Sequence, residues 1–369
     1  MLSYIFRRIL LFFPTLLGVM VVNFLIIQAA PGGPVEQTIA QIQGHSVDAT
    51  ARVGGDQSEN LSSSQSRGGD RSGGSTKYRG AQGLDPQLIE ELERMYGFDK
   101  PAHERFLKMV WSYLRFDFGE SFYRDQTVMD MVLDKMPVSI SLGLWTTLLV
   151  YLISIPLGVA KAVRDGSKLD VWTSGVIVVG NAVPGFMFAI LLIVLFSGGS
   201  YFDWFPLRGL TSSEWDSMGV FHKVIDYFWH LALPIASMVI GGFAGLTLLT
   251  KNSFLDEINK QYVMTARAKG LGERRVLYGH VFRNAMLIVI AGFPSVFVNI
   301  LFTGSLLTEI IFSLDGLGLL GFEAVVNRDY PVMFATLYFF TLLGLVMQLV
   351  SDLTYMLVDP RIDFESRDV

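Results

Sequence analysis

Of the 369 residues, 51% are hydrophobic and 17% charged, and the mean hydropathy is +0.43. That balance is too apolar for a water-soluble globular chain of this size and implies a polytopic membrane protein. The net charge of −5 argues against nucleic acid as a partner, and a chain with no cysteine has neither a disulfide framework nor a thiolate metal site.

Taken in order, the chain begins with Arg7-Arg8 ahead of an apolar run over residues 9–27. A cleaved signal peptide would carry a shorter core and a small-x-small cleavage site, so this run is expected to stay as a spanning helix. Five more runs, 138–160, 171–197, 231–250, 286–307 and 332–358, reach the ~20 residues needed to cross a bilayer. The expected fold class is all-α, a polytopic membrane protein with six transmembrane helices. Pro14, Pro156, Pro184, Pro234 and Pro294 lie within or near the span ends. Each can break or kink its helix, or simply be tolerated there.

Residues 31–137 separate the first two runs. Within them, 44–83 holds 9 Gly and 8 Ser in 40 residues, too little apolar surface to offset chain entropy, so a mobile loop is expected. Pro86 then opens a short helix with Leu88, Ile89, Leu92 and Met95 on one face and Gly97 as its stop. A second helix is expected over 101–116, grouping Phe106, Met109, Val110, Tyr113 and Leu114. Both are expected to lie over the outer ends of the spans.

Orientation follows from Lys and Arg. With a cytoplasmic N-terminus, the inner pieces 1–8, 161–170, 251–285 and 359–369 carry 14 basic residues, against 3 in the outer loops 198–230 and 308–331. Both termini are therefore expected in the cytoplasm. The longest inner piece has helical logic over 252–269. Asn252 or Ser253 can cap it, and Asp256 and Glu257 suit the first turn. Phe254, Ile258, Tyr262 and Ala266 recur every four residues along one face. Arg267 and Lys269 suit the last turn, and Gly270 supplies a left-handed cap. On periodicity alone this is equally an ordinary basic loop placed by the inside-positive bias.

Several chemistries are missing. No Gly-Lys dipeptide exists, so there is no Walker A phosphate loop, and neither HExxH nor GxSxG occurs. The expected spans hold no Asp, Glu, Lys, Arg or His near their centres, and only Asp352, near the inner end of the sixth, departs from this. Proton-coupled carriers keep such a residue near the midplane. A secondary carrier is therefore disfavoured, and a membrane-anchored assembly protein stands as a third reading. Asn181, Asn299 and Gln348 are the polar mid-span candidates for lining a translocation path, or for interhelical hydrogen bonds worth about 0.6–2 kcal/mol.

Met264-Thr265-Ala266-x-x-x-Gly270 resembles the EAA loop of ABC-importer permeases, with Met264 and Thr265 departing from the Glu-Ala opening. The run from Tyr262 through Arg267 to Gly270 is similar to the form in dipeptide and oligopeptide permeases. Other stretches extend the resemblance over nearly the whole chain: Arg7-Arg8-Ile9-Leu10, Ala30-Pro31-Gly32-Gly33-Pro34, Tyr96-Gly97-Phe98-Asp99-Lys100-Pro101, Phe312-Ser313-Leu314-Asp315-Gly316-Leu317-Gly318 and Val358-Asp359-Pro360-Arg361. The insertion at 44–83 departs from ordinary dipeptide permeases. With it, and with the ending Ile362-Asp363-Phe364-Glu365, the chain resembles the B-type permease subunits of microcin C/oligopeptide importers.

That resemblance implies a type I ABC importer permease fold in a bacterial inner membrane. It implies a second permease subunit in a heterodimer, two ATP-binding subunits or domains, and a periplasmic peptide-binding protein as partners, with no cofactor. The division it implies is an N-terminal transmembrane helix (1–30), a periplasmic segment (31–137), a five-helix core (138–358) with a cytoplasmic coupling loop (251–285), and a cytoplasmic tail (359–369). In the family the loop helix docks on the ATPase, so Tyr262, Met264, Thr265, Ala266, Arg267 and Gly270 are the expected coupling residues. The peptide cargo would be oligopeptides or microcin C-like peptide-nucleotides.

Overall fold

The computed structural model describes residues 2–29, 87, 100–121, 123–124, 126–198, 201–299 and 306–358. The Gly/Ser stretch at 44–83, the Pro31-Gly32-Gly33-Pro34 stretch, the helix expected after Pro86 (save Gln87) and the tail at 359–369 lie outside the described residues. The helices are α1 (Leu2–Ala29), α2 (Ala102–Leu114), α3 (Val128–Val163), α4 (Lys168–Ala182), α5 (Gly185–Phe196), α6 (Val220–Ile258), α7 (Gln261–Ala268), α8 (Glu273–Val276), α9 (Phe282–Asn299), α10 (Leu306–Ile311), α11 (Leu317–Val326) and α12 (Tyr330–Val358). A π-helical turn, Leu277–Val281, joins α8 to α9. Among the described residues the only β-type pairing is one isolated antiparallel bridge, Glu120 to Thr127.

Five helical stretches are long and apolar enough to cross a membrane, and a sixth span is formed if α4 and α5 are taken together. Of the two outcomes open at Pro184, the third span is broken: α4 and α5 meet at 91°. The cause is Pro184. It has no N–H to give, and its ring drives Val183 out of the helical region to φ −88°, ψ 120°. Pro184 itself, at φ −57° and ψ 136°, then opens α5. Pro14, Pro156, Pro234 and Pro294 instead stay inside continuous helices. The fifth span also departs from its expected bounds. Its helical stretch starts at Glu273, and Leu306 already belongs to α10.

Helices α3 and α6 hold 36 and 39 residues. At 1.5 Å per residue they reach about 54 and 58 Å, well beyond a ~30 Å hydrocarbon layer. Their ends therefore stand outside the membrane and can carry charge.

The chain divides into two compact units. One comprises Met1–Phe12, Val132–Leu320 and Phe339–Val369; the other comprises Phe13–Met131 and Gly321–Tyr338. The first holds two apolar cores. One gathers Val138, Leu142, Ala189, Leu231, Phe312 and Leu314. The other gathers Val159, Phe254, Val263, Ala266, Val281 and Ala285. Asp352, the acid flagged in the sixth span, lies on α12 and is paired with α1: Arg8 Nη2 is 2.7 Å away and the Tyr4 hydroxyl donates at 2.8 Å. In the second unit, Tyr113 of α2 packs edge-on against Phe118 and Tyr338, and burial pushes its phenol pKa up. Ser121 donates to Asp329 at 2.5 Å, and Arg124 pairs with Glu323 at 3.0 Å.

One glycine in the first unit is required by contact. Glu309 is fully buried; its Oε2 accepts from the Leu319 N–H at 2.7 Å, and Ser139, which also holds the Leu317 N–H, donates to its Oε1. A Cβ on Gly316 would overlap the Glu309 carboxylate. Gly316→Ala must displace a hydrogen-bonded carboxylate, a loss of about 1–3 kcal/mol. A lower Tm of the purified chain in detergent is the expected result, and a parent-like Tm would show that the carboxylate shifts freely.

Candidate functional site

The segment expected to be one short helix over 252–269 is two. Helix α6 runs on to Ile258, so Asn252 and Ser253 are interior residues rather than caps, and Ser253 Oγ donates to the Ala285 carbonyl at 2.6 Å. The chain then turns at Asn259 (φ −89°, ψ 0°) and Lys260 (φ −74°, ψ 150°) before α7 begins. Glu257 bridges the break, accepting from the Tyr262 hydroxyl at 2.6 Å and pairing with the Lys260 ammonium. Burial, and then the bond to Glu257, push the Tyr262 phenol pKa up.

Helix α7 has eight residues, too few to persist alone, so packing must hold it. Val263 (0% exposed) and Ala266 (7%) enter the core that contains Phe254 of α6, Val159 and Ala162 of α3, and Val276. The opposite edge faces outward: Met264 is 62% exposed, and Thr265, Arg267 and Lys269 are exposed with it. Arg267 is braced by Glu273 through two contacts, Nε–Oε1 at 2.9 Å and Nη2–Oε2 at 3.0 Å. The six expected coupling residues thus do not form one surface. Ala266 points into the protein, Tyr262 is half-buried, and Met264, Thr265, Arg267 and Gly270 are exposed.

Gly270 ends the segment as its residue type implies. Its φ is +81°, its N–H reaches the Arg267 carbonyl at 2.9 Å, and the Leu271 N–H reaches Ala266 at 3.4 Å. No atom lies within 4 Å of a Cβ built there, so a side chain meets strain rather than crowding. Gly270→Val is expected to cost roughly 1–2 kcal/mol at this turn. Tryptic cleavage beside Arg267 and Lys269 should quicken while the Tm of the whole chain holds. Unchanged cleavage would mean that the turn tolerates the branched residue.

Beside α7 lies a cleft of about 700 Å³, with Val163, Ile258, Val276 and Tyr278 in its walls and Arg267 and Glu273 at its charged side. An exposed, braced helix edge beside a cleft with apolar walls and a charged side is suited to receiving another protein. No group of His, Asp or Glu among the described residues could hold a metal.

The three path candidates are dispersed. Asn181 is exposed near the end of α4 beside the break, and Gln348 is exposed on α12. Asn299 closes α9, and its side chain lies outside the described residues. Sequence reasoning missed a buried cluster. Lys161, counted only as a cytoplasmic charge, is fully buried and pairs with Asp170 at 2.9 Å, and Asp170 pairs in turn with Lys251 at 2.8 Å. A Lys and an Asp flanking a short turn between two apolar runs was the available signal.

Long apolar helices, a span broken at a proline and a short helix held outward on a packed loop make up a membrane transport subunit. The chain belongs to the family of binding-protein-dependent transport system inner membrane components, whose model matches residues 154–364. It is therefore a multi-pass permease component of an ABC importer. It is 62% identical over 369 residues, all of both chains, to the peptidoglycan transport system permease protein YejB of Agrobacterium fabrum. It is 58% identical to the inner membrane ABC transporter permease protein YejB of Escherichia coli O157:H7, over 99% of this chain and 100% of that one. Against the oligopeptide transport system permease protein AppB of Bacillus subtilis it is 33% identical, over 99% and 100%.

Proposed function

We propose that this chain is one of two permease subunits in a peptide importer, and that α7 is where the ATP-binding subunits seat. The observation that carries this is the division of α7. Val263 and Ala266 anchor it in the core, while Met264, Thr265 and Arg267 stand outward, fixed in position before any partner arrives. With no Gly-Lys dipeptide in the chain, ATP hydrolysis is assigned to those partners, and the chain itself is not an enzyme. A movement of the ATPases presses α7, rocks the spans and opens the path toward a binding protein on the far side. A second permease completes the pore.

The relatives named for peptidoglycan and oligopeptide transport support a peptide cargo. Oligopeptides and peptides released from peptidoglycan fit that class, and the resemblance described above adds peptide-nucleotides of the microcin C kind. In proteoliposomes holding the assembled complex, labelled oligopeptide should accumulate with ATP and binding protein and not with a proton gradient alone. Accumulation driven by the gradient would make the chain a secondary carrier instead.

The excess of Lys and Arg supports a cytoplasmic position for both termini and α7. Because the chain lacks cysteine, single introduced thiols report this cleanly. Asp203→Cys should label with an impermeant reagent added to intact spheroplasts, and Arg274→Cys only after lysis. The reverse pattern would overturn the orientation.

A further inference from the structure

The network of Lys161, Asp170 and Lys251 has a geometry that a set of loop charges would not need. The Lys161 ammonium, fully buried on α3, has four oxygens around it: Asp170 Oδ1 at 2.9 Å, the Asp170 carbonyl at 2.9 Å, Thr173 Oγ1 at 2.8 Å and Ser174 Oγ at 2.8 Å. All four belong to the first turns of α4. The other carboxylate oxygen, Asp170 Oδ2, accepts from the Gly166 N–H at 3.1 Å and from Lys251 of α6 at 2.8 Å. Lys251 also pairs with Asp165 at 2.8 Å. Two lysines and two aspartates balance, so the cluster itself carries no net charge. A single carboxylate thus ties three helices together, and removing one partner would strand a buried charge.

A second contact, independent of charge, lies one helical turn away. A Cβ on Gly158 of α3 would sit 2.6 Å from Thr250 Cβ and 2.8 Å from the Thr247 carbonyl of α6. The Gly158 backbone therefore packs directly on the Thr250 side chain and the Thr247 carbonyl, next to Lys251 in sequence. On the other side of Lys251, Ser253 bonds Ala285 of α9, and Phe254 shares a core with Val263 and Ala266 of α7. A continuous set of contacts runs from α7 through α6 to the start of α4, which leads into the 91° break at Pro184.

We propose that Lys251 and Asp170 are positioning residues for transport. They join the ends of α6 and α4, with α3 fixed to both, so that a displacement received at α7 is delivered to the bent span formed by α4 and α5. Lys161 sets the carboxylate in place. This rests on the reading of α7 as the ATPase seat. The separable element is the link from Lys251 to Asp170, because Lys251→Met leaves the buried Lys161–Asp170 pair and the Gly158 contact intact.

The test measures three quantities on the reconstituted complex: ATPase subunit retained per permease, ATP hydrolysed, and peptide imported per ATP. Lys251→Met should keep ATPase retention and hydrolysis near the parent and lower peptide imported per ATP at least tenfold. Lys251→Arg, which can bridge the same carboxylates, should restore the ratio. Asp165→Asn, at the exposed arm of the cluster, should change it little. A parent-like ratio in Lys251→Met overturns the proposal, as does a lower complex yield with an unchanged ratio, which marks a purely structural role. Should Lys251→Met not assemble, Lys251→Met with Asp165→Asn removes a charge of each sign and keeps the buried Lys161–Asp170 pair, and its ratio is again expected to fall at least tenfold; a parent-like ratio there overturns the proposal equally. Met264→Asp run alongside separates the two claims. Full ATPase retention in that variant defeats the reading of α7, while loss of retention there with an unchanged ratio in Lys251→Met defeats only the linkage.

Discussion

Ala266→Asp is expected to abolish ATPase capture, at least tenfold by co-purification, while the chain still inserts in the membrane. The residue lies on the buried face of α7, in the core of Phe254, Val263 and Val281, where the described neighbours are apolar. An unpaired carboxylate there would cost several kcal/mol, more than an eight-residue helix gains from its few contacts. The least costly escape is for α7 to leave the core, taking Met264 and Arg267 out of position. The spans, specified by hydrophobicity elsewhere, are unaffected. Ala266→Ser, close in size and able to bond its own backbone, should behave much like the parent. Full ATPase recovery by Ala266→Asp would mean that the packed posture of α7 is unimportant for docking.

Gly158→Val should destabilise the packed chain itself. Atoms of Thr250 and Thr247 at 2.6 and 2.8 Å from the first added carbon leave no room for it. The Thr247 oxygen is backbone, already accepting within α6, and cannot rotate away. Helices α3 and α6 would have to separate along a contact next to the buried Lys161 cluster. Overpacking typically costs 1–3 kcal/mol and about that or more is expected here. The expected observation is a drop in Tm of several degrees, with folded yield lost for larger side chains such as Leu. A parent-like Tm would show that the two helices are not held at this distance in the membrane.

The parts of the fold legible in sequence were those that one physical signal specifies. Long apolar runs predict spans, and α1 and α12 fall close to their expected places. Whether a proline breaks a helix was not legible. Pro184 does and Pro156 does not, because the outcome depends on whether the helix can find packing in a new direction. The period of four correctly placed Phe254 and Ala266 on a shared buried side. It missed the turn at Asn259 and Lys260, which carries neither glycine nor proline. The motif named Met264 and Ala266 alike as coupling residues, whereas helical geometry turns them opposite ways. Lys161 and Lys251 were read as markers of orientation. Their pairing with Asp170 depends on how α3, α4 and α6 converge, which no local pattern records.

The central claim is that the outward edge of α7 is the seat of the ATPase. The direct measurement is site-specific cross-linking from Met264→Cys, the only thiol in the chain, in an assembled complex shown to import peptide. The account predicts an adduct with the ATP-binding subunit in high yield, and none with that subunit from Asp203→Cys. An importing complex in which Met264→Cys gives no ATPase adduct, while Asp203→Cys does, would contradict it.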